Sequence, residues 1–412
     1  MADYARNKKF FSAATLIMLA IAAYMSASLV WHEAVPGPWR VPLTLGLVLF
    51  ALSVTTMRVL VTRKPDLPFS SVRAGGFVSS SFMALAWLVL LRDAVMLALW
   101  LGGFVLPCLS EAVHGLLRFL LSSSFELGML ACGFGLSTLG LIRALRVPEV
   151  REVPVPLAGL PRELEGLRLV QISDLHIGSC FGRDWLERVV KRANALEADF
   201  VLITGDLADG SPERIEEHLR PLASLRARYG VLAVPGNHDS YSGLESWVEK
   251  WNGWGLGVLL NAHQDFIVRE RRVRVVGVND KCARHFPEFR HSKEFGQPDL
   301  ARALSTPCQP SEQVADSLAS PADLTILLSH RPAGAEESAA CGVKLQLCGH
   351  THAGQFFFLF PLVQRMNKGY RAGLYNVNGM PLHVSPGTGM WGYAPMRCGT
   401  RSEISLLVLK RK

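Results

Sequence analysis

The stretch Leu167-Arg168-Leu169-Val170-Gln171-Ile172-Ser173-Asp174-Leu175-His176 decides how the C-terminal part of this chain is read. Its first part, up to Ser173, has the short apolar character of a buried strand. Asp174 and His176 follow at once. Residues two apart in an extended segment point to the same face, so one carboxylate and one imidazole can reach the same ion. A lone Asp-x-His triplet also fits a capped turn, so the rest of the chain must decide. Runs at 198–204, 230–235, 273–278, 324–329 and 343–348 read as further strands, and helical patterns at 183–196 and 212–226 lie between some of them. Such alternation indicates an α/β domain, in which ligands bind beyond the carboxyl ends of the strands.

That is where the reactive residues fall. The second run is followed by Gly205-Asp206-Leu207-Ala208-Asp209, the third by Gly236-Asn237-His238-Asp239. Two later runs lead into Ser329-His330-Arg331-Pro332 and Gly349-His350-Thr351-His352. Gly205 permits a tight backbone approach. Asp206 has two oxygens, enough to bridge two cations, and Asp209 is placed to orient a ligand. Each block alone has a bland explanation; an N-cap aspartate would account for Asp206. Blocks that each follow an apolar strand do not share one. Together Asp174, His176, Asp206, Asn237, His330, His350 and His352 make two overlapping nitrogen and oxygen shells joined by Asp206. Without a thiolate among them, the set favours Mn, Fe or Zn, with Mg or Ni as further choices. His238 is the candidate proton donor. The eight cysteines form no C-x-x-C pair, which excludes a thiolate zinc site of the usual spacing and gives no disulfide framework.

The N-terminal third reads differently. Residues 10–31 (FFSAATLIMLAIAAYMSASLVW) are uncharged and long enough for a bilayer, which needs about 20 apolar residues. Arg6, Lys8 and Lys9 resemble the start of a signal peptide, but the apolar run is longer than a signal core of roughly 7–15 residues. Further spans are expected at 42–61, 77–109 and 124–142. The third carries Arg92-Asp93 and fits either one tilted helix or two pieces turning at Arg92; the pair is read as lying near a helix end or inside the bundle. Four spans place both ends on one side, and the basic residues before the first span, between the second and third, and after the last put that side in the cytoplasm. The expected division is a transmembrane domain at 1–147, a proline-rich linker or edge strand at 148–163, and a catalytic domain at 164–412. The net charge of +8 is scattered, with no run of five basic residues, so no nucleic-acid partner is expected.

The ordered blocks Asp174-x-His176, Gly205-Asp206-x-x-Asp209, Gly236-Asn237-His238-Asp239, His330 and Gly349-His350-x-His352 resemble those of the calcineurin-like metallophosphoesterase superfamily. Gly277-Val278-Asn279-Asp280, Pro298-Asp299-Leu300 and Gly373-Leu374-Tyr375 are similar to its bacterial membrane-linked branch. The resemblance implies a four-layer α/β sandwich, two mixed sheets flanked by helices, here preceded by an α-helical transmembrane bundle. It implies two divalent metal ions, one held by Asp174, His176, Asp206 and His352, the other by Asp206, Asn237, His330 and His350. Attack on phosphorus by a metal-bridging hydroxide is implied, with His238 as the catalytic histidine.

Two departures stand out. Ala353-Gly354-Gln355 replaces the family's usual Gly-Gly-Gln, a difference of one methyl group that leaves metal binding undisturbed on this reading. Residues 281–320 look like a surface insertion, with His285 and His291 as solvated loop residues. Phe356-Phe357-Phe358-Leu359-Phe360 reads first as a buried strand or hairpin, and more sharply as an apolar lip beside the metals. Trp247 and Trp251 read as the core face of one helix. With an anchoring half attached, the expected partners are the bilayer and a lipid-linked phosphodiester or pyrophosphate. The alternatives are a phosphomonoesterase or nucleotide phosphodiesterase, and a metal-binding sensor or scaffold without turnover.

Overall fold

The computed structural model describes residues 2–32, 35–63, 68–105, 110–289, 292–308, 321–391 and 395–412. His291 lies outside them. The chain forms two compact units, Met1–Arg143 with Tyr393–Met396, and Ala144–Gly392 with Arg397–Lys412.

The first unit is helical: α1 (Ala2–Leu29), α2 (Gly37–Arg63), α3 (Phe69–Val105), α4 (Ser110–Leu120) and α5 (Ser123–Leu145). Among the described residues, Gly37–Thr56, Phe69–Val105 and Ser123–Leu145 are long and apolar enough to cross a membrane, and Thr15–Leu29 is a shorter apolar stretch. Met18, Ala22 and Met25 of α1 pack with Ala51 of α2 and Phe82, Leu85 and Val89 of α3. Of the two readings of residues 77–109, the structure takes the single helix, which runs unbroken through Arg92. The Arg92 side chain is 1% exposed. It donates to Asp93 Oδ1 at 2.9 Å, to Glu126 Oε1 at 3.2 Å and to the Ser28 carbonyl at 2.9 Å. Tyr24 donates to Asp93 at 2.8 Å, and His32 lies 2.9 Å from Glu126. The adjacent charges are therefore an interior network between α1, α3 and α5.

The second unit contains the strands β1 (Glu149–Leu157), β2 (Arg168–Ile172), β3 (Phe200–Thr204), β4 (Gly230–Val234), β5 (Gly257–Val258) and β6 (Ala262–Val268), then β7 (Arg271–Gly277), β8 (Leu324–Leu328), β9 (Leu345–Cys348), β10 (Gly373–Val377), β11 (Met380–Val384) and β12 (Glu403–Arg411). They make two six-stranded mixed sheets, ordered β1-β12-β2-β3-β4-β5 and β10-β11-β9-β8-β7-β6. Pro154 and Pro156 lack an N–H for a ladder, and β1 carries them at an edge, parallel to β12.

Leu169, Phe200, Leu202, Leu232 and Leu407 of the first sheet meet Val273, Val275, Ile326, Leu328, Leu345 and Leu347 of the second in one buried cluster. Each such side chain contributes about 1.5–3 kcal/mol relative to exposure. The outer faces are covered by helices. The helix Arg183–Asn194 buries Trp185, Leu186, Val189 and Val190. The helix Ala335–Ala340 joins the satellite cluster of Val276, Leu327 and Val384. This is the four-layer sandwich. Because β2, β3 and β4 run parallel, as do β8 and β9, their carboxyl ends present the following loops together.

Two local expectations change. Phe356–Phe360 is not a strand: Phe356 is buried, a 3₁₀ turn spans Phe357–Leu359, and a helix starts at Phe360. Pro361 at the first turn suits a helix start and not a ladder. Nor is the segment after β7 merely a surface insertion, since Cys282, Ala283 and Phe289 are buried.

Candidate metal centre

Asp174, His176, Asp206, His350 and His352 all have positive φ, between 48° and 69°. The extended geometry expected for Asp174-x-His176 and His350-x-His352 therefore does not occur. The chain leaves each strand through left-handed turns, a conformation that costs a non-glycine residue roughly 1–2 kcal/mol and persists where the surroundings over-determine it. Two glycines make the crowding possible. A Cβ on Gly236 would stand 2.1 Å from Asp206 Oδ1, and one on Gly349 would stand 2.4 Å from Asp174 Oδ2.

The side chains converge in two overlapping groups. Asp174, His176 and His352 offer ligand atoms within 4.8 Å of one another, and so do Asp206, His330 and His350. Asp206 joins them: its Oδ2 is 3.2 Å from His330 Nε2 and 3.6 Å from His176 Nε2. A further grouping of the same tightness contains His176, Asp206 and His238. Asn237 stands at the His350 edge, where the Arg331 guanidinium touches both.

The hydrogen bonds around this centre aim the rings. His330 Nδ1 donates to the Thr204 carbonyl at 2.8 Å, and His176 Nδ1 pairs with Asp209 Oδ1 at 3.0 Å. Both rings thus turn Nε2 inward, the arrangement that second-layer acceptors give metal-ligating histidines. Like then faces like: His176 Nε2 lies 3.1 Å from His352 Nε2, and His330 Nε2 lies 3.1 Å from His350 Nδ1.

The electrostatics test whether cations fit. Burial alone would raise Asp206, but His330, His238 and His176 hold it well below the usual carboxylate range. Burial opposes charge on His330, yet Asp206 and Asp174 bring it up to about 10. Burial, then His330 and Arg331, push His350 well below the ordinary imidazole value. The buried carboxylates demand positive charge, and protonated imidazole supplies it. A divalent cation taking the inward nitrogens would meet the same demand, so the donor set fits one.

Asp209 and Asp239 hold the frame. Asp209 Oδ1 also meets His238 Nδ1 at 2.7 Å. Burial works against charge on His238, but Asp209 and Asp206 outweigh it and raise the ring to about 9. Asp239 accepts from the backbone N–H groups of Asp206, Leu207, Ala208 and Gly236 at 2.8–2.9 Å. A carboxylate taking four amide protons ties the two loops that carry Asp206 and Asn237.

The calcineurin-like phosphoesterase family model matches residues 167–354, the span holding all seven candidate ligands and His238. A Helicobacter pylori protein named "Uncharacterized metallophosphoesterase" is 33% identical over 290 residues, covering 69% of this chain and 71% of that protein. The chain belongs to the calcineurin-like metallophosphoesterase family. A zebrafish (Danio rerio) protein named "Transmembrane protein with metallophosphoesterase domain" is 36% identical over 283 residues, or 67% of this chain. The match spans 60% of that relative's length. A solved structure titled as a 5'-nucleotidase precursor from Thermus thermophilus aligns with a TM-score of 0.36 at 17% identity, over 59% of this chain and 54% of that one.

Sequence reasoning missed three parts of the metallophosphoesterase site. Asp239 looked like the end of a motif, and only the folded loops show its four amide donors. Arg331 follows His330 directly, but nothing in its spacing says that it turns toward Asp280 and Asn237. Arg397, far along the chain, is fully buried and donates to the carbonyls of His352, Gly387 and Gly389, fixing the last ligand loop from behind.

Proposed function

We propose that this chain is a multi-pass membrane enzyme that uses two divalent cations to hydrolyse a phosphodiester or pyrophosphate bond of a lipid-linked substrate. The observation that carries the reading is the convergence of inward-facing His176 and His330 nitrogens on one buried Asp206 carboxylate. In this reading Asp174, His176, Asp206 and His352 hold one cation, and Asp206, Asn237, His330 and His350 the other, with Mn, Fe or Zn the best matched. Residues 1–147 anchor the enzyme, 148–163 connect, and 164–412 catalyse.

When bound, two such cations supply Lewis acidity toward water and the phosphoryl oxygens. The protein does the rest. Asp209 holds His238 by Nδ1, so the Nε2 proton is the one offered to a leaving oxygen. Asp239 keeps the Asp206 and Asn237 loops in register, and the buried walls exclude competing water.

Two features support a lipid-linked substrate and a membrane setting. The turn and helix following the His352 loop expose apolar side chains, with Phe357 at 42%, Leu362 at 54% and Met366 at 73%. Arg365 and Lys368 are exposed among them. Apolar and basic residues on one short helix suit a headgroup boundary. The basic residues flanking the spans favour a cytoplasmic catalytic unit, and a zebrafish relative carries the name of a transmembrane protein.

The test is a substrate profile of the full chain in detergent, loaded with Mn and offered lipid-linked, nucleotide, aryl diester and monoester phosphates. Cleavage should disappear on chelation and be fastest for a lipid-linked diester or pyrophosphate. Bound metal without turnover would leave the sensor or scaffold reading instead. Equal rates on soluble nucleotides would remove the lipid from the proposal.

A further inference from the structure

Among the described residues, Arg331 is the cation whose side chain touches two of the proposed ligand side chains, Asn237 and His350. Its guanidinium donates from Nε to Asp280 Oδ2 at 2.6 Å and from Nη2 to Asn237 Oδ1 at 2.9 Å, while Nη1 lies 2.6 Å from His350 Nε2. Asp280 is itself fixed. It is buried, and its Oδ1 accepts from the Cys282 N–H at 2.8 Å, capping the turn Lys281–His285. The Arg331 side chain remains 20% exposed. It is clamped from behind and open in front.

The bond to His350 would be lost if a cation took the ring's Nδ1. His350 turns Nδ1 toward His330 and Asp206. If a cation takes the Nδ1 lone pair, the neutral ring keeps its proton on Nε2, which then faces Arg331 donor to donor. Nη1 must turn off the ring. The bond to Asp280 is unaffected, and Asn237 Oδ1 has a second lone pair, so both can hold the arginine at the same edge. One donor would then be left unpaired beside the bound cations. A planar guanidinium with a spare N–H is the usual partner of a phosphoryl oxygen.

We propose that Arg331, clamped by Asp280, forms an oxyanion subsite that holds a non-bridging phosphoryl oxygen of the substrate at the Asn237/His350 edge. The proposal rests on the metallophosphoesterase reading above and adds a substrate-positioning residue to it. The surroundings favour an anion there. Lys281, Arg284 and Lys368 are exposed, and burial, then Arg331, Arg284 and Lys368, push the Lys281 ammonium below its ordinary value. Asp280 is the nearby counter-charge that acts the other way on Lys281. That imbalance suits the dianionic charge of a pyrophosphate.

The experiment measures binding of inorganic phosphate and of pyrophosphate to the Mn-loaded full chain by calorimetry, with Mn content determined by elemental analysis. The variants are Arg331→Ala, Arg331→Lys, and the charge-balanced pair Arg331→Met with Asp280→Asn, which leaves no buried carboxylate unpaired. Arg331→Ala and the balanced pair should weaken phosphate roughly 10- to 100-fold, the worth of one charge-assisted contact. Mn content should be unchanged, and lysine should restore part of the affinity. A loss confined to pyrophosphate would support the subsite and assign it to a second phosphate, beyond the scissile one. Phosphate and pyrophosphate affinities within twofold of wild type in the balanced pair would overturn the proposal. So would a rise in Mn content with anion affinity unchanged, because the guanidinium would then only compete for metal donors. A wild-type chain that takes up none of Mn, Fe or Zn overturns the two-cation reading itself, and the subsite with it.

Discussion

The two units each bury a cluster of ionisable side chains, and the clusters are built on opposite plans. In the helical unit, unlike groups pair. Arg92 meets Asp93 and Glu126, Tyr24 donates to Asp93, and His32 reaches Glu126. The described groups close on one another. In the α/β unit, like faces like, with imidazole nitrogens 3.1 Å apart in two places and five of the seven candidate ligand residues in left-handed backbone. The first cluster is complete as it stands. The second sets ring nitrogens against one another around a buried carboxylate, on loops held in left-handed backbone. Burial and charge are common to both, so neither distinguishes a site. What does is whether the donors and acceptors close without an outside partner.

The sharpest way to break this contrast is Asp206→Asn. The amide keeps the shape but brings one neutral oxygen and an N–H₂ group, which cannot bridge two cations. Catalytic efficiency toward an aryl phosphodiester should fall by on the order of 10³-fold or more, exceeding the loss of one charge-stabilising donor. Bound Mn should fall with it. Retention of full metal content and rate would place the bridging role elsewhere.

The helical cluster should respond in a different currency. Arg92→Met leaves Glu126, 14% exposed, and the half-buried Asp93 without their guanidinium, at a cost of about 3 kcal/mol in stability, the low end for a pair that loses one buried partner. Adding Asp93→Asn and Glu126→Gln removes the uncompensated charges and should recover most of the loss. Thermal unfolding in detergent reads both, and turnover per folded molecule should stay at the wild-type level. If the triple variant were stable but inactive, the network would belong to function after all.

How much of this was legible beforehand differs by region for physical reasons. Apolar runs ending in Asp174, Asp206, Asn237, His330 and His350 could be read because strand burial and ligand chemistry both write into a few adjacent residues. The pairing of β1 with β12, Glu149 against Glu403, could not. It joins segments with no local signal for one another. Asp239 and Asp280 stood in quoted blocks but their roles were silent, because carboxylates that accept backbone amides leave no spacing pattern. The Phe356–Phe360 run misled because consecutive aromatics favour a strand on composition, while Pro361 and the left-handed turn before it settle the chain into a helix. The hairpin of β10 and β11, by contrast, had an Asn378-Gly379 turn that a closer reading would have caught.

The smallest expected effect lies in the left-handed turn at Ala353. Ala353 stands at φ 54° and ψ 21°, between His352 at φ 48° and Gly354 at φ 82°. The family's usual glycine would adopt this backbone freely, whereas an alanine there costs roughly 1–2 kcal/mol. Glycine also loses more freedom on folding, which offsets about 0.4–1 kcal/mol of the gain. Ala353→Gly should therefore stabilise the catalytic unit by about 0.5–1 kcal/mol, a rise of roughly 1–4 °C for a unit this size. The methyl is buried, so packing acts the other way. A lowered melting temperature would mean that the methyl outweighs the strain. The Ala353 carbonyl accepts from Arg371 at 2.9 Å in either case, so Mn content should not change. A change in metal affinity would show that the strain at Ala353 reaches His352, which would tie the backbone conformation of this loop directly to the cations it is proposed to hold.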